Sequence, residues 1–246
     1  MPAFLVDAAS VRDGGVVLGA EEAHHVRVRR HRPGDEVDVI DGEGKGYRIR
    51  IQAIEDERVT GRIVERRSDL GESPVRLHLA AAIVKGLRFD LVVEKATEVG
   101  VASITPVTAR RSVARPGGRG DRWRRLARSA AKQCGRSRVP PVSEPVPLLD
   151  AAGAMAADGA RLLVADPAAP GDLRSVCDPG VRSAALFVGP EGGFAPEELH
   201  ALGSLGARVF AWGNRRLRAE TAAVVLSAMV ITVMEWQCEE TAASSF

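Results

Sequence analysis

The stretch Leu186-Phe187-Val188-Gly189-Pro190-Glu191-Gly192-Gly193-Phe194 decides the architecture that this sequence predicts. A buried strand runs into a turn with three glycines, and a helix then opens at Pro196-Glu197-Glu198. In an open α/β sheet, ligands bind outside the carboxyl ends of the strands. Glycines there let the backbone approach a ligand, because no Cβ atom intervenes. The stretch therefore predicts a ligand-binding loop; a tight strand–helix turn without a ligand is the alternative.

A second stretch, Ala211-Trp212-Gly213-Asn214-Arg215-Arg216-Leu217-Arg218-Ala219-Glu220-Thr221-Ala222, repeats this arrangement at the end of the next predicted strand. It places Arg218, Glu220 and Thr221 at the entrance of an apolar helix. An arginine binds phosphate or stabilises negative charge, and a threonine hydroxyl bonds to backbone groups or a ligand. Alone, the loop could be a helix start with Arg–Glu surface pairs. Two such loops on consecutive strands favour a binding site.

The sequence around these loops alternates between predicted strands and helices, which is typical of a mostly parallel sheet covered on both faces. The predicted strands are Val75–Val84, Ser103–Val107, Leu162–Ala165, Ala184–Val188 and Val209–Trp212. The predicted helices are Phe89–Val99, Asp121–Cys134, Pro196–Leu205 and Ala219–Gln237. In the helix Asp121–Cys134 we expect one apolar stripe, formed by Trp123, Leu126, Ala130 and Cys134.

The first 68 residues are predicted to be mostly β-structure, because Glu36–Ile40 and Tyr47–Ile51 alternate and Arg58–Val64 is a third strand candidate. Short strands joined by glycine turns favour a small barrel. The glycines at 42, 44 and 46 lie between two strands, so we interpret them as a hairpin turn and not as a nucleotide-binding loop. The polar segment 68–74 predicts a boundary between domains 1–72 and 73–246.

Composition and residue spacing argue against several classes of protein: disulfide-linked, metal-binding, secreted and membrane-spanning. Cys134, Cys177 and Cys238 are widely spaced, so the sequence predicts neither a disulfide framework nor a metal site. The N-terminus lacks the pattern of a signal peptide, and no stretch of about 18 apolar residues predicts a membrane span. We therefore expect a cytoplasmic protein that contacts no membrane.

Basic residues are concentrated in two places, although the net charge is only +2. Residues 107–140 contain eleven Arg or Lys and a single acid, and Arg27, Arg29, Arg30 and Arg32 form a second group. Local basic patches of this kind are typical of phosphate-binding surfaces. Solvated faces without a nucleic-acid partner are the alternative for either patch.

The two loops together resemble the signature pair of SPOUT-class (trefoil-knot) methyltransferases, and more narrowly the bacterial 16S ribosomal RNA uridine-N3 methyltransferases. Further matching segments are Lys85-Gly86, 94–100, Pro106, Arg122-Trp123, 131–136 and Val139-Pro140. His24-His25-Val26, Arg30 and Gly34-Asp35 are similar to the family's RNA-binding module, which is PUA-like. The resemblance implies an α/β fold with a C-terminal trefoil knot, preceded by a small PUA-like β-barrel.

The resemblance also implies a cofactor, S-adenosylmethionine, and a homodimer acting on 16S rRNA of the small ribosomal subunit. The implied cofactor-binding residues are Leu186, Val188, Gly189, Pro190, Glu191, Gly192, Gly193, Ala211, Trp212, Gly213, Asn214, Leu217, Arg218 and Thr221. The implied RNA-binding residues are His25, Arg27, Arg30, Arg32, Arg122, Arg125, Arg128, Lys132 and Arg136.

The chemistry of the implied reaction suggests catalytic residues. A neutral uracil N3 carries a proton and a delocalised lone pair, so an enzyme must remove the proton or stabilise the uracil anion. Arg218 is the candidate for stabilisation, and Glu220 or Glu191 for proton handling. For Glu220, charge complementarity with a helix N-terminus is the alternative. A non-catalytic RNA-binding assembly factor, and a related methyltransferase acting on ribose 2′-OH or tRNA, are the competing functions.

Overall fold

The computed structural model describes residues 2–113 and 117–243, which divide into two compact units. The first unit contains Met1–Glu72 and Arg128–Val139, and the second contains Ser73–Ala127 and Pro140–Phe246. The chain first passes from one unit to the other after Glu72. Segment 128–139, which the sequence assigned to the second domain, packs instead within the first unit.

The first unit is built on a six-stranded sheet. Its strands are β1 (Phe4–Leu5), β2 (Val11–Arg12), β3 (Gly15–Leu18), β4 (Glu36–Ile40), β5 (Lys45–Ile54) and β6 (Val59–Ser68). Their order is β1-β4-β5-β6-β3-β2, and only the β1–β4 pair is parallel. The predicted hairpin is confirmed, because β4 pairs antiparallel with β5 and Asp41 donates its amide to the Lys45 carbonyl at 3.0 Å.

A helix that the sequence analysis missed covers this sheet. Helix α1 (Ala20–Val28) carries His24 and His25, and it buries Ala23 and Val26 in a core with Leu18, Ile49 and Val59. Its charged sequence gives little helical periodicity, since only these two apolar side chains point inward. Packing against the buried residues of the sheet therefore stabilises this helix more than its own amphipathic pattern does.

The second unit is an all-parallel six-stranded sheet with helices between the strands. The strands are β7 (Arg76–Ala82), β8 (Ser103–Thr108), β9 (Val146–Pro147), β10 (Arg161–Ala165), β11 (Ser183–Val188) and β12 (Arg208–Phe210). Their order is β12-β10-β11-β7-β8-β9. The predicted parallel α/β architecture is confirmed. Because all six strands point the same way, their carboxyl ends share one edge of the sheet.

The helices of this part of the chain agree with the predictions within a few residues where predictions were made. They are α2 (Arg88–Val99), α3 (Gly120–Cys134), α4 (Leu148–Ala157), α5 (Leu173–Val176), α6 (Pro196–Ser204) and α7 (Ala219–Ala243). Helix α4 was not predicted, because its Ala-rich sequence contains Asp150 as its one charged residue and shows little amphipathic period. Helix α5 was not predicted, because four residues are too few to show a period.

Helix α3 is amphipathic, but its buried face differs from the predicted stripe. Trp123, Ala127, Ala130 and Ala131 are buried, whereas Cys134 is exposed. Trp123 also donates its Nε1–H to Oδ1 of the buried Asp90 at 3.0 Å. The prediction is therefore correct for Trp123 and Ala130, whereas Ala127 and Ala131 complete the buried face in place of the half-buried Leu126 and the exposed Cys134.

Helix α7 closes the second unit and packs against α2, β7 and β11. Its segment Ala219–Glu240 is long and apolar enough to cross a membrane by length and composition, a test that core helices of soluble proteins also pass. The expectation that no segment reaches this length and hydropathy is therefore wrong on those two measures. Only a third of its most apolar window is buried within the chain.

Candidate functional site

A cleft of about 480 Å³ opens at the carboxyl edge of the parallel sheet in the second unit. It is lined by residues that follow the ends of β8, β10, β11 and β12, and by the first turns of α6 and α7. Val188, Phe194, Leu199, Phe210 and Leu226 form much of its apolar wall. A volume of this size, mainly apolar with a few polar groups, is typical of a small-molecule site.

At two positions, the backbone of the glycine loop after β11 favours glycine over any residue with a Cβ atom. A Cβ atom at Gly189 would lie 3.2 Å from the Phe194 nitrogen and 3.3 Å from the Gly193 carbonyl carbon. Gly193 itself has a φ of +68°, where L side chains are strained. Within the described residues, the amides of Glu191 and Gly192 donate no hydrogen bond to the protein. The loop therefore brings unpaired backbone donors to the wall of the cleft.

Many of the predicted cofactor-binding residues line this cleft. They are Val188, Gly189, Pro190, Glu191, Gly192, Gly193, Trp212 and Leu217. The other predicted residues are not among its lining side chains: Leu186, Ala211, Gly213, Asn214, Arg218 and Thr221. Leu186 is fully buried within β11, so it supports the loop from below.

Two contributors to the cleft escaped the sequence analysis. Asp166, Pro167 and Ala168 follow β10, and Arg111 follows β8. Asp166 accepts the Ala168 amide on Oδ1 at 2.8 Å and donates its own amide to the Phe210 carbonyl at 3.0 Å. The rule that ligands bind at the carboxyl ends of strands would have identified Asp166, because this polar residue and a proline directly follow the predicted strand Leu162–Ala165.

The three predicted catalytic residues lie in different environments. Glu191 lines the cleft with a half-exposed carboxylate, and its Oε1 lies 3.2 Å from Nη1 of Arg88. Arg218 is exposed next to the cleft and has no ion pair among the described residues. Glu220 is only 6% exposed, and its Oε2 has no hydrogen-bond partner among the described residues. Glu191 and Arg218 can therefore meet a substrate, whereas Glu220 lies below the surface.

Comparison with known proteins assigns the chain to a family. The family model described as an RNA methyltransferase domain matches residues 71–231, and the RNA methyltransferase PUA domain matches residues 18–64. Ribosomal RNA small subunit methyltransferase E of Mycobacterium bovis is 36% identical over 96% of this chain and 94% of the relative. This chain belongs to the small-subunit ribosomal RNA methyltransferase E family. The Bacillus subtilis member is 27% identical over 83% of this chain and 85% of its own length.

Solved structures agree with this family and its fold. The methyltransferase E of Neisseria gonorrhoeae, crystallised with S-adenosylmethionine, has a TM-score of 0.85 and 29% identity, covering 95% of this chain and 98% of that one. The predicted SPOUT class, with a mostly parallel sheet and an N-terminal PUA-like domain, is confirmed. The chain is accordingly an RNA methyltransferase of this family.

The predicted RNA-binding side chains of this methyltransferase fall into two groups. The exposed group consists of Arg27, Arg30, Arg32, Arg122, Arg125 and Arg128. Within it, Arg27 donates to the carbonyls of Glu55 and Asp56, and Arg122 donates to Asp90. Lys132 and Arg136 are instead engaged in ion pairs with Glu22 and Glu72, with side chains 15% and 4% exposed. These two cations stabilise the first unit and are not presented to phosphate.

One of the two adjacent histidines, His25, lies in a cluster with two acids of α1. Glu21, Glu22 and His25 have ligand atoms close enough to hold an ion. The ammonium of Lys132, however, contacts Glu22 and lies 3.5 Å from Nδ1 of His25. The charge of Lys132 thus offsets one of the two carboxylates of the group, and His24 is exposed on the same helix.

Proposed function

We propose that this chain transfers a methyl group from S-adenosylmethionine to N3 of one uridine in the 16S rRNA of the small ribosomal subunit. The observation that carries the proposal is the glycine-lined cleft at the carboxyl edge of the parallel sheet. The family member from Neisseria gonorrhoeae, which has the same fold, is crystallised with this cofactor. The PUA-like module supports an RNA substrate.

The residues of the cleft fit this cofactor. Adenine needs an apolar slot, and Phe210, Leu226 and Leu199 provide one. Sugar and purine acceptors need donors at close range, and the unpaired amides of Glu191 and Gly192 supply them. The cofactor carries a sulfonium and an ammonium, which Asp166 and Glu191 complement with negative charge.

When bound, the cofactor supplies an electrophilic methyl group. The chain's own residues must then hold the uracil and take its N3 proton. Glu191 is better placed than Glu220 to accept that proton, because it lines the cleft and Glu220 is buried. The guanidinium of Arg218 stabilises negative charge that develops on the uracil carbonyl oxygens. The buried Glu220 supports the start of α7 by its charge at the helix N-terminus.

The exposed residues proposed to bind RNA lie in each unit separately. The first unit contributes Arg27, Arg30, Arg32 and Arg128, with His25 also on α1, and the second contributes Arg122 and Arg125. Arg30 and Arg32 have no ion pair among the described residues, so their charge is available to phosphate. Phosphate contacts position an RNA without reading its sequence.

The proposal includes a cytoplasmic homodimer whose interface uses α7. One side of this helix carries Val225, Met229 and Trp236, and Trp236 is 58% exposed. A contiguous apolar surface of this kind marks an interaction site. We expect Trp236→Glu to shift the protein from dimer to monomer in sedimentation equilibrium; a monomeric parent protein would contradict the dimer.

Two measurements test the proposed function. Mass spectrometry of rRNA from a deletion strain should show loss of one N3-methyluridine from 16S rRNA, restored by the parent gene and not by Arg218→Ala. Calorimetry should show binding of S-adenosylmethionine. An unchanged methylation pattern would overturn the substrate, and absence of cofactor binding would favour a non-catalytic RNA-binding factor.

A further inference from the structure

The turn that follows β8 is fastened to the glycine loop by a buried carboxylate. Glu198, on the first turn of α6, is 7% exposed. Its Oε1 accepts the Arg110 amide and its Oε2 accepts the Ala195 amide, both at 2.8 Å. One side chain thus joins the 109–112 turn to the end of the loop.

The guanidinium of Arg111 makes a second connection between the same two segments. Its Nη1 donates to the Gly192 carbonyl at 2.9 Å and to the Phe194 carbonyl at 3.3 Å. Its aliphatic stem lies against Gly192, where an added Cβ would be 3.5 Å from Arg111 Cβ. Among the described residues, no carboxylate forms an ion pair with Arg111. The loop carbonyls are therefore its protein partners.

We propose that Arg111 and Glu198 form a clamp that holds the 189–195 loop in the shape that binds the cofactor, with Arg111 as the principal positioning residue. The inference rests on the proposed function, since it assigns a role toward the same cofactor. A loop of glycines has high conformational entropy, and fixing it on binding would weaken affinity. The clamp fixes it beforehand.

The position of Arg111 explains why this effect is local to the cofactor. The carbonyls of Gly192 and Phe194 accept hydrogen bonds from the guanidinium. Because they are occupied in this way, they do not compete with a ligand for the amides of the same loop. The side chain also lines the cleft. Substitution of Arg111 should therefore change the affinity for the cofactor more than the stability of the second unit.

Three variants of the full-length protein test the clamp, and two further variants are controls. Arg111→Met keeps the stem and removes the donors, and Arg111→Lys restores one charged donor group. Glu198→Gln leaves one acceptor oxygen for two amides. Glu197→Gln is the matched control, because Glu197 is 69% exposed and pairs only with the side chain of Arg110. Arg174→Met, on an exposed arginine of α5, controls for the change of charge.

Calorimetry with S-adenosylmethionine and with S-adenosylhomocysteine gives the dissociation constants, and turnover separates kcat from the cofactor KM. We expect Arg111→Met to raise both dissociation constants roughly tenfold or more, because charge-assisted hydrogen bonds are lost. The cofactor KM should rise in parallel, while kcat at saturating cofactor stays within about threefold. Arg111→Lys should recover part of the affinity, and Glu198→Gln should weaken it. Both controls should stay within about twofold, as exposed charges do.

The outcomes separate this inference from the proposed function. If the parent protein binds the cofactor and Arg111→Met binds it equally well, the clamp is overturned and the proposed function stands. If the melting temperature of Arg111→Met falls by more than about 4 °C and lysine rescues nothing, the residue is structural and the inference is also overturned. If the parent protein binds neither ligand, the proposed function itself fails.

Discussion

Arg136 and Glu72 form an ion pair with Nη2 and Oε2 2.7 Å apart, and their side chains are only 4% and 8% exposed. Glu72 also accepts the Arg138 amide on Oε1 at 2.9 Å. Both residues belong to the first unit, although Arg136 lies 64 positions further along the chain. A cation that the sequence places in an RNA-binding patch is therefore part of the interior of this unit.

Breaking this pair should destabilise the protein strongly. We expect Glu72→Ala to lower the free energy of unfolding by roughly 3–5 kcal/mol, because it leaves a buried guanidinium without its counter-ion. Urea denaturation measures the change. Arg138→Ala is the control, since Arg138 pairs with Asp69 at the surface and its loss should cost about 0–1 kcal/mol. Equal effects of the two substitutions would contradict the assignment.

Arg218→Ala should abolish most methyl transfer without unfolding the protein. Loss of one group that stabilises developing negative charge typically lowers kcat by about 10²–10³. Turnover at saturating cofactor and RNA gives the number, and circular dichroism checks the fold. Arg215→Ala, in the same loop, is the comparison, and it should reduce kcat less than Arg218→Ala does. Activity within a few-fold of the parent would remove Arg218 from the mechanism.

Gly189→Ala should weaken cofactor binding. Its new Cβ would be within 3.4 Å of three backbone atoms of Gly193 and Phe194, so the loop must shift. An overpacking cost of about 1–3 kcal/mol corresponds to a loss of affinity of roughly 5-fold to 150-fold. Gly153→Ala in α4 is the control, because nothing lies within 4 Å of that added Cβ. Unchanged calorimetric affinity for Gly189→Ala would show that this loop does not hold the cofactor.

The exposed arginines of the first unit should contribute affinity for RNA and none for cofactor. We expect Arg30→Asn with Arg32→Ala to weaken RNA binding and flatten its salt dependence by roughly one unit of slope per lost phosphate contact. Asparagine suits position 30, where φ is +60°. Arg50→Ala, at a surface pair with Glu36, is the control. A deletion of residues 1–72 is a poorer test, because segment 128–139 would lose its packing.

Activity should not depend on a metal ion. No reaction step assigned to this chain needs a Lewis acid, and Glu22, the buried acid beside His25, is paired with Lys132. Turnover should be unchanged in EDTA with an unstructured RNA substrate. Loss of turnover, restored by one divalent ion, would contradict this, and a folded RNA substrate serves as the control for ion effects on the RNA.

Sequence reasoning worked where a local pattern controls the structure. Strand β11 and its glycine loop were found because apolar residues, three glycines and Pro196 are adjacent in the chain. Helix α1 was missed because Val26 and Ala23 are its only buried apolar residues, too few to give a period. Arg111 was missed because its partners, Gly192 and Phe194, lie more than 80 residues away.

The sequence by itself determined the alternation of strands and helices around the cleft, the two loops of the cleft and the family. These depend on hydrophobic period, turn chemistry and motif, which neighbouring residues carry. Only the tertiary structure decided which charges face solvent and which are paired inside. Lys132 and Arg136 resemble Arg125 and Arg128 along the helix and just after it, but Glu22 and Glu72 reach the first pair and not the second. Long-range packing makes that choice, because burying a cation requires a carboxylate brought from a distant part of the chain.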